Sequence, residues 1–284
     1  MDNICFFIVV VTLVLLKCTT LCSGINFFNS SIDEDALLAF KATITSDPDG
    51  ILANNWYANN ASVCYWIGVS CGIKHQRVTA LNLSGFHLRG TIAPHLGNLT
   101  FLRSLDISFN NFTGILPDEL SNLRRLKEIN VGCNSFAGEI PSWLGTLHEL
   151  QHIHLNNNTF TGNIPQSLFN NTSKLLTLDM GYNFLGGNVP QEIGKCIDLE
   201  DLRLSFNHFN GNIPSEIGSL VNLKILYLSN NSFGGGIPKQ FGNLTSLNIL
   251  YLDDNKLTGE LPQELSNLAY LEIFSIGNNT LIFC

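Results

Sequence analysis

LRSLDISFNNFTGILPDEL, residues 102–120, is the phrase that decides the fold, and it returns as LNILYLDDNKLTGELPQEL at 247–265. An asparagine recurs in it every 24 residues: Asn110, Asn134, Asn158, Asn183, Asn207, Asn231, Asn255 and Asn279, with one extra residue between Asn158 and Asn183. A fixed period of this length marks a solenoid, in which each unit buries its apolar edge only against its neighbours. Leu105 and Ile107 alternate with Ser104, Asp106 and Ser108, the period-two pattern of a strand with one face buried. One strand per unit predicts a parallel sheet, and function is expected on a surface rather than in a pocket.

The recurring asparagine falls where the chain leaves the sheet, and its amide can satisfy backbone groups of neighbouring turns that would otherwise be buried unpaired. Glycine and an Ile/Leu-Pro pair follow, as at Gly114 with Leu116-Pro117 and Gly162 with Ile164-Pro165. Glycine permits a left-handed turn, and proline fixes an extended backbone without needing a donor. Phe86 occupies the first ladder position, and a loop near Asn170-Asn171-Thr172 can absorb the extra residue.

Residues 1–24 read as a cleaved secretory signal, because the apolar run Cys5–Leu16 has the length of a signal core and precedes small residues. An uncleaved anchor is the alternative. Residues 25–76 form a non-repetitive cap, and residues 77–284 hold about nine repeats, the last incomplete. In the cap, Ser31-Ile-Asp-Glu34 reads as a capping box ahead of a short amphipathic helix with Ala36, Leu37, Leu38, Ala39 and Phe40. Trp56 and Trp66 are expected to plug the first rung. The phrase stops after Leu281 without its Gly and Ile-Pro, so a longer protein or a truncated product is expected.

Five cysteines follow the signal. Cys64 and Cys71, close together in an aromatic-rich segment, are expected to form a disulfide in an oxidising compartment. Cys196 stands where Leu99, Leu123 and Leu147 stand in the phrases LGNL, LSNL and LGTL, and reads as a small buried hydrophobe. Metal binding is not expected, since neither CxxC nor a His pair at metal spacing accompanies the thiols. The net charge of −8 with 13% charged residues leaves no basic stripe, so nucleic-acid binding is set aside. No cofactor motif is present.

The phrase LxxLxLxxNxLxGxIPxxL, in eight near-complete copies, is similar to the plant-specific leucine-rich repeat. CYWIGVSC at 64–71, followed by RVTALNLSG, resembles the amino-terminal cap of plant leucine-rich-repeat receptors. DEDALLAFKATITSDP at 33–48 most resembles the receptor-kinase branch that includes receptors for bacterial elongation factor Tu and for flagellin. The resemblance implies an α/β-type solenoid, a leucine-rich-repeat superhelix with a concave parallel sheet. It further implies a cell-surface ectodomain that binds a peptide or protein and pairs with a co-receptor kinase. Membrane attachment would come only through a segment beyond Cys284. A free secreted binding protein, such as a polygalacturonase inhibitor, is the alternative. No kinase motif lies in these residues.

Two strand columns face away from the expected core. The central one is Asn82, Asp106, Asn130, His154, Asp179, Arg203, Tyr227, Tyr251 and Ser275, and the one before it ends in Ile225, Ile249 and Ile273. Tyr227, Tyr251, Ile225, Ile249 and Ile273 are expected to form an exposed apolar patch for a partner, with Arg203 and Asp253 orienting it by charge. Strand propensity alone is the plainer explanation. Phe109, Tyr182 and Phe206, each before a ladder asparagine, are weaker candidates. His152 and His154 lie on one strand face near Glu128, Asp179 and Asp201, where protonation could act on an acidic partner, or where both are simply solvated. Sequons at Asn29, Asn60, Asn82, Asn98, Asn111, Asn157, Asn170, Asn171, Asn230, Asn243 and Asn278 avoid every ladder position.

Overall fold

The computed structural model describes residues 27–57 and 62–282. The repeat phrase places one short strand of the main sheet in each turn. Among the described residues ten strands form the main sheet: Val69–Cys71, Val78–Asn82, Ser104–Asp106, Glu128–Asn130, His152–His154, Thr177–Asp179, Asp201–Arg203, Ile225–Tyr227, Ile249–Tyr251 and Ile273–Ser275. Val69–Cys71 runs antiparallel to its neighbour, and the later strands pair in parallel. Register places Leu81, Leu105, Ile129, Ile153, Leu178, Leu202, Leu226 and Leu250 in one inward column, each 0% exposed. Burying each such side chain contributes about 1.5–3 kcal/mol.

A second sheet of seven strands follows the ladder positions, from Ile44–Ser46 in the cap to His208–Phe209. Beneath it Phe40, Phe112, Phe136 and Phe160 stack with centroids 5.8, 6.2 and 6.4 Å apart. Leu185 interrupts the row, and Phe209 and Phe233 resume it at 6.1 Å. Short 3-10 helices then return the chain, each from Asp118–Asn122 onward preceded by a proline; Pro117 holds φ −64°. The glycine of LGTL is required there, because a Cβ on Gly145 would lie 2.2 Å from the Ser167 carbonyl oxygen of the next rung.

The asparagine ladder takes the expected place. Asn158 Nδ2 donates to the carbonyls of Val131, Leu155 and Asn156 at 3.0, 3.2 and 3.2 Å, and its Oδ1 accepts from Phe136 N at 2.9 Å. Asn110 and Asn207 repeat the pattern, each reaching 27 residues back to a carbonyl of the previous rung. The extra residue of the longer rung falls between Leu168 and Leu175, where the buried Thr172 hydroxyl donates to the Leu168 carbonyl at 2.5 Å. Cys196 is 0% exposed in a leucine position, and burial raises its thiol pKa.

In the cap, Trp56 and Trp66 stack at 5.4 Å, both buried, beside the Cys64–Cys71 disulfide. The helix spans Phe27–Ala42, so Ser31 lies inside it and Ser31–Glu34 is not a capping box. The residue that matters is Asp33, 1% exposed, whose carboxylate accepts from Arg77 at 2.7 and 2.9 Å and from Val78 N at 2.9 Å. A long-range ion pair to the first repeat strand fixes the helix where a local cap was expected. The run Cys5–Leu16, the Asn29 side chain, Asn60 and Cys284 lie outside the described residues. Among the described residues no helix is long and apolar enough to cross a membrane.

Candidate functional site

Parallel register turns the outward columns into a continuous concave surface. Asp179 pairs with Arg203, Arg203 with Tyr227, and Tyr227 with Tyr251 across successive strands. The two tyrosine rings lie 4.8 Å apart, and the Arg203 guanidinium sits 4.9 Å from the Tyr227 centroid. Arg203 is also gripped by both oxygens of Asp201 at 2.9–3.1 Å, and these hydrogen bonds raise its pKa.

The residue before each ladder asparagine is held at positive φ, including Tyr182 at 55° and Phe206 at 59°. The backbone leaves the sheet there. Tyr182 and Phe206 stack 4.1 Å apart while remaining 55% and 41% exposed. Between this pair and the Arg203–Tyr227–Tyr251 row lie the small residues Gly181, Ser205 and Ser229, and the result is a depression of about 430 Å³. Small residues beside an aromatic column are the signal that could have located it from sequence.

The structure thus brings Arg203, Tyr227, Tyr251 and Asp253 around one depression. Asp253 accepts the Ser229 hydroxyl at 2.7 Å. Ile225 and Ile249 are half-buried in the neighbouring column, outside the depression's lining, whereas Ile273 is 42% exposed. Phe109 is 63% exposed and lines a smaller hollow with His154, Cys133 and Asp179. Two features went unread in the sequence: the side-by-side seating of Tyr182 and Phe206, and the position of Ser205 on the floor.

Burial is the dominant electrostatic influence where the two hollows meet. It pushes the Asp179 carboxyl pKa up, against the Gly181 N–H bond and the Arg203 charge. It pushes the His154 pKa down, against the charges of Asp179 and Glu128. His152 stacks 6.4 Å from His154 and its Nδ1 lies 3.1 Å from the Thr177 hydroxyl. His154 is therefore partly desolvated, unlike a histidine standing free in water. Asn82, Asn98, Asn111, Asn157, Asn170, Asn171, Asn243 and Asn278 are exposed, and Asn230 is half-buried on the rim of the depression. Among the described residues no cluster of three or more His, Cys, Asp or Glu could hold a metal ion.

Known proteins share the repeat sequence and the fold. The leucine rich repeat N-terminal domain matches residues 30–72, and leucine rich repeats match residues 100–160, 198–220 and 217–281. The LRR receptor-like serine/threonine-protein kinase EFR of Arabidopsis thaliana is 41% identical over 85 residues, covering 30% of this chain and 8% of that protein. The chain therefore spans a small part of that relative's length, and the match falls in the repeats and not in a kinase domain. The crystallised ectodomain of the Arabidopsis thaliana receptor kinase GASSHO1/SCHENGEN3, in complex with CASPARIAN STRIP INTEGRITY FACTOR 2, is 34% identical with a TM-score of 0.83, over 89% of this chain and 30% of that one. A plant ice-binding protein is 25% identical with a TM-score of 0.67, over 89% of this chain and 88% of that one. The same scaffold thus serves unlike functions, and the site must carry the functional argument. The chain belongs to the leucine-rich-repeat family, as a capped solenoid similar to part of a plant receptor-kinase ectodomain.

Proposed function

We propose that the chain is a non-enzymatic, extracellular recognition module whose concave face binds a peptide or protein, within a plant receptor kinase that pairs with a co-receptor. One observation carries this reading: two aromatic pairs, Tyr182–Phe206 and Tyr227–Tyr251, flank a depression on the concave face. Aromatic side chains supply large contact area and dominate binding hot spots. The complex of the GASSHO1/SCHENGEN3 ectodomain with CASPARIAN STRIP INTEGRITY FACTOR 2 supports a peptide or protein as the ligand class. Both the co-receptor and a role in defence or development come from the resemblance alone, and the surface sequons fit a secreted or cell-surface setting.

The test is to pan the chain against a displayed random-peptide library and measure the enriched peptides by surface plasmon resonance. Tyr227→Ala with Tyr251→Ala is expected to weaken them tens-fold, since an aromatic anchor contributes ~2 kcal/mol or more at an interface centre. Ser104→Ala with Asp106→Ala should change affinity less than about twofold. The reverse pattern would place the site on the early rungs.

A further inference from the structure

Ser205 lies on the floor of the depression at 7% exposure, and its hydroxyl has no hydrogen-bond partner among the described residues. Its column does not require this. Ser84 pairs with Ser108 at 2.8 Å, Ser108 donates to Asp106 at 2.6 Å, and Ser229 donates to Asp253 at 2.7 Å. A buried hydroxyl left unpaired costs free energy that a bound group could recover.

Asp179 borders the same floor. One of its oxygens accepts the Gly181 N–H at 3.0 Å, and burial outweighs that bond in setting its acidity. A half-buried carboxylate of this kind is stabilised by a cation within hydrogen-bond reach. Arg203 is already committed, with its fork on Asp201 and its face on Tyr227. With Arg203 matched by Asp201, the lining retains the negative charges of Asp179 and Asp253.

We infer that the depression takes the guanidinium of an arginine side chain from the bound peptide, with Asp179 and Ser205 accepting its N–H bonds and the Tyr182, Phe206 and Tyr227 rings flanking its plane. This rests on the proposed recognition role of the concave face. A guanidinium fits better than an ammonium: it is flat, weakly hydrated, stacks on aromatic rings and carries five donors in a fixed fork. The Ser205 hydroxyl oxygen, which has no partner among the described residues, has lone pairs free to accept one of them.

The probe is N-acetyl-arginine amide, compared with the neutral isostere N-acetyl-citrulline amide, titrated against the chain by saturation-transfer NMR. Arginine amide is expected to bind about tenfold or more tightly than citrulline amide. Asp179→Asn should erase that preference, and Ser205→Ala should weaken arginine binding several-fold while leaving the melting temperature unchanged or higher. The inference is overturned by equal binding of the two probes, by binding of neither, or by a preference that survives Asp179→Asn. If both probes bind equally and both are lost in the Tyr227→Ala, Tyr251→Ala variant, the concave site stands and only its cation selectivity fails. If displayed peptides ignore the tyrosine pair, the recognition reading fails by itself.

Discussion

The early and late rungs of the concave face share one backbone and differ in what their side chains leave unsatisfied. On the early rungs, Ser104 donates to Glu128 at 2.9 Å, while Asp106 and Asn130 accept from the N–H two residues on, Ser108 and Gly132, at 3.0 and 3.1 Å. Those polar groups answer one another. On the late rungs the stacked aromatics stay partly exposed and Ser205 stays unpaired. The ladder builds both regions equally, so the fold is neutral about function, and the outward columns decide it.

Damage at the cap separates the two regions most sharply. Asp33→Ala leaves Arg77 buried without its partner, and removing one member of such a pair costs about 3–5 kcal/mol. Because a solenoid couples each rung mainly to its neighbours, hydrogen exchange should rise first around Val78–Asn82 and little around Ile225–Tyr251. Uniform exchange across both regions would mean that the array unfolds as one unit.

Next in size is the ladder. Asn110→Ala and Asn207→Ala should each cost roughly 1–3 kcal/mol, since both leave buried backbone groups unpaired, whereas the exposed Asn111→Ala should stay within about 0.5 kcal/mol. A thermal melt that separates Asn110 from Asn207 would refute the claim that the scaffold is indifferent to position.

The smallest effect is pH dependence, and it belongs to the late region. His154 has a lowered folded pKa, so the unfolded chain binds its proton more readily, and this residue's contribution to stability falls as pH drops through the ordinary histidine range. Asp179 has a raised folded pKa, so its contribution moves the other way, favouring the fold as pH drops through the carboxylate range. His154→Gln should flatten the stability profile through the ordinary histidine range and leave the more acidic limb, while Asp179→Asn should do the converse. Denaturant melts across pH would reveal an unchanged profile if neither group is desolvated in solution.

Most of the scaffold was readable because repetition multiplies each signal: the ladder, the longer rung near Asn170 and the leucine position of Cys196 each follow from aligning the copies. The cap helix was misread because a capping box is a local pattern. Asp33 answers instead to Arg77, 44 residues away. The tyrosines and Arg203 could be found by counting columns, but the engagement of Arg203 by Asp201 could not, since two residues of one strand may turn toward each other or outward. The orphaned hydroxyl of Ser205 was invisible for a simpler reason. Whether a serine finds a partner depends on what its neighbours have already taken.

The left-handed residue before each ladder asparagine also has an evolutionary meaning. That backbone state suits Asn and Asp, which hold it at Asn157, Asn230, Asp254 and Asn278, and is strained for bulky side chains. Phe109, Tyr182 and Phe206 occupy it nonetheless. The ladder bonds on either side dictate the conformation whatever the side chain, so this column can be rewritten without disturbing the core. A lineage drifting toward stability alone would fill it with asparagine, and Tyr182→Asn should accordingly fold at least as stably as the present chain. Under the proposed recognition role, aromatic rings at these places serve contact with a partner and not the core, and rungs that carry them are where new specificities can arise while the solenoid stays the same.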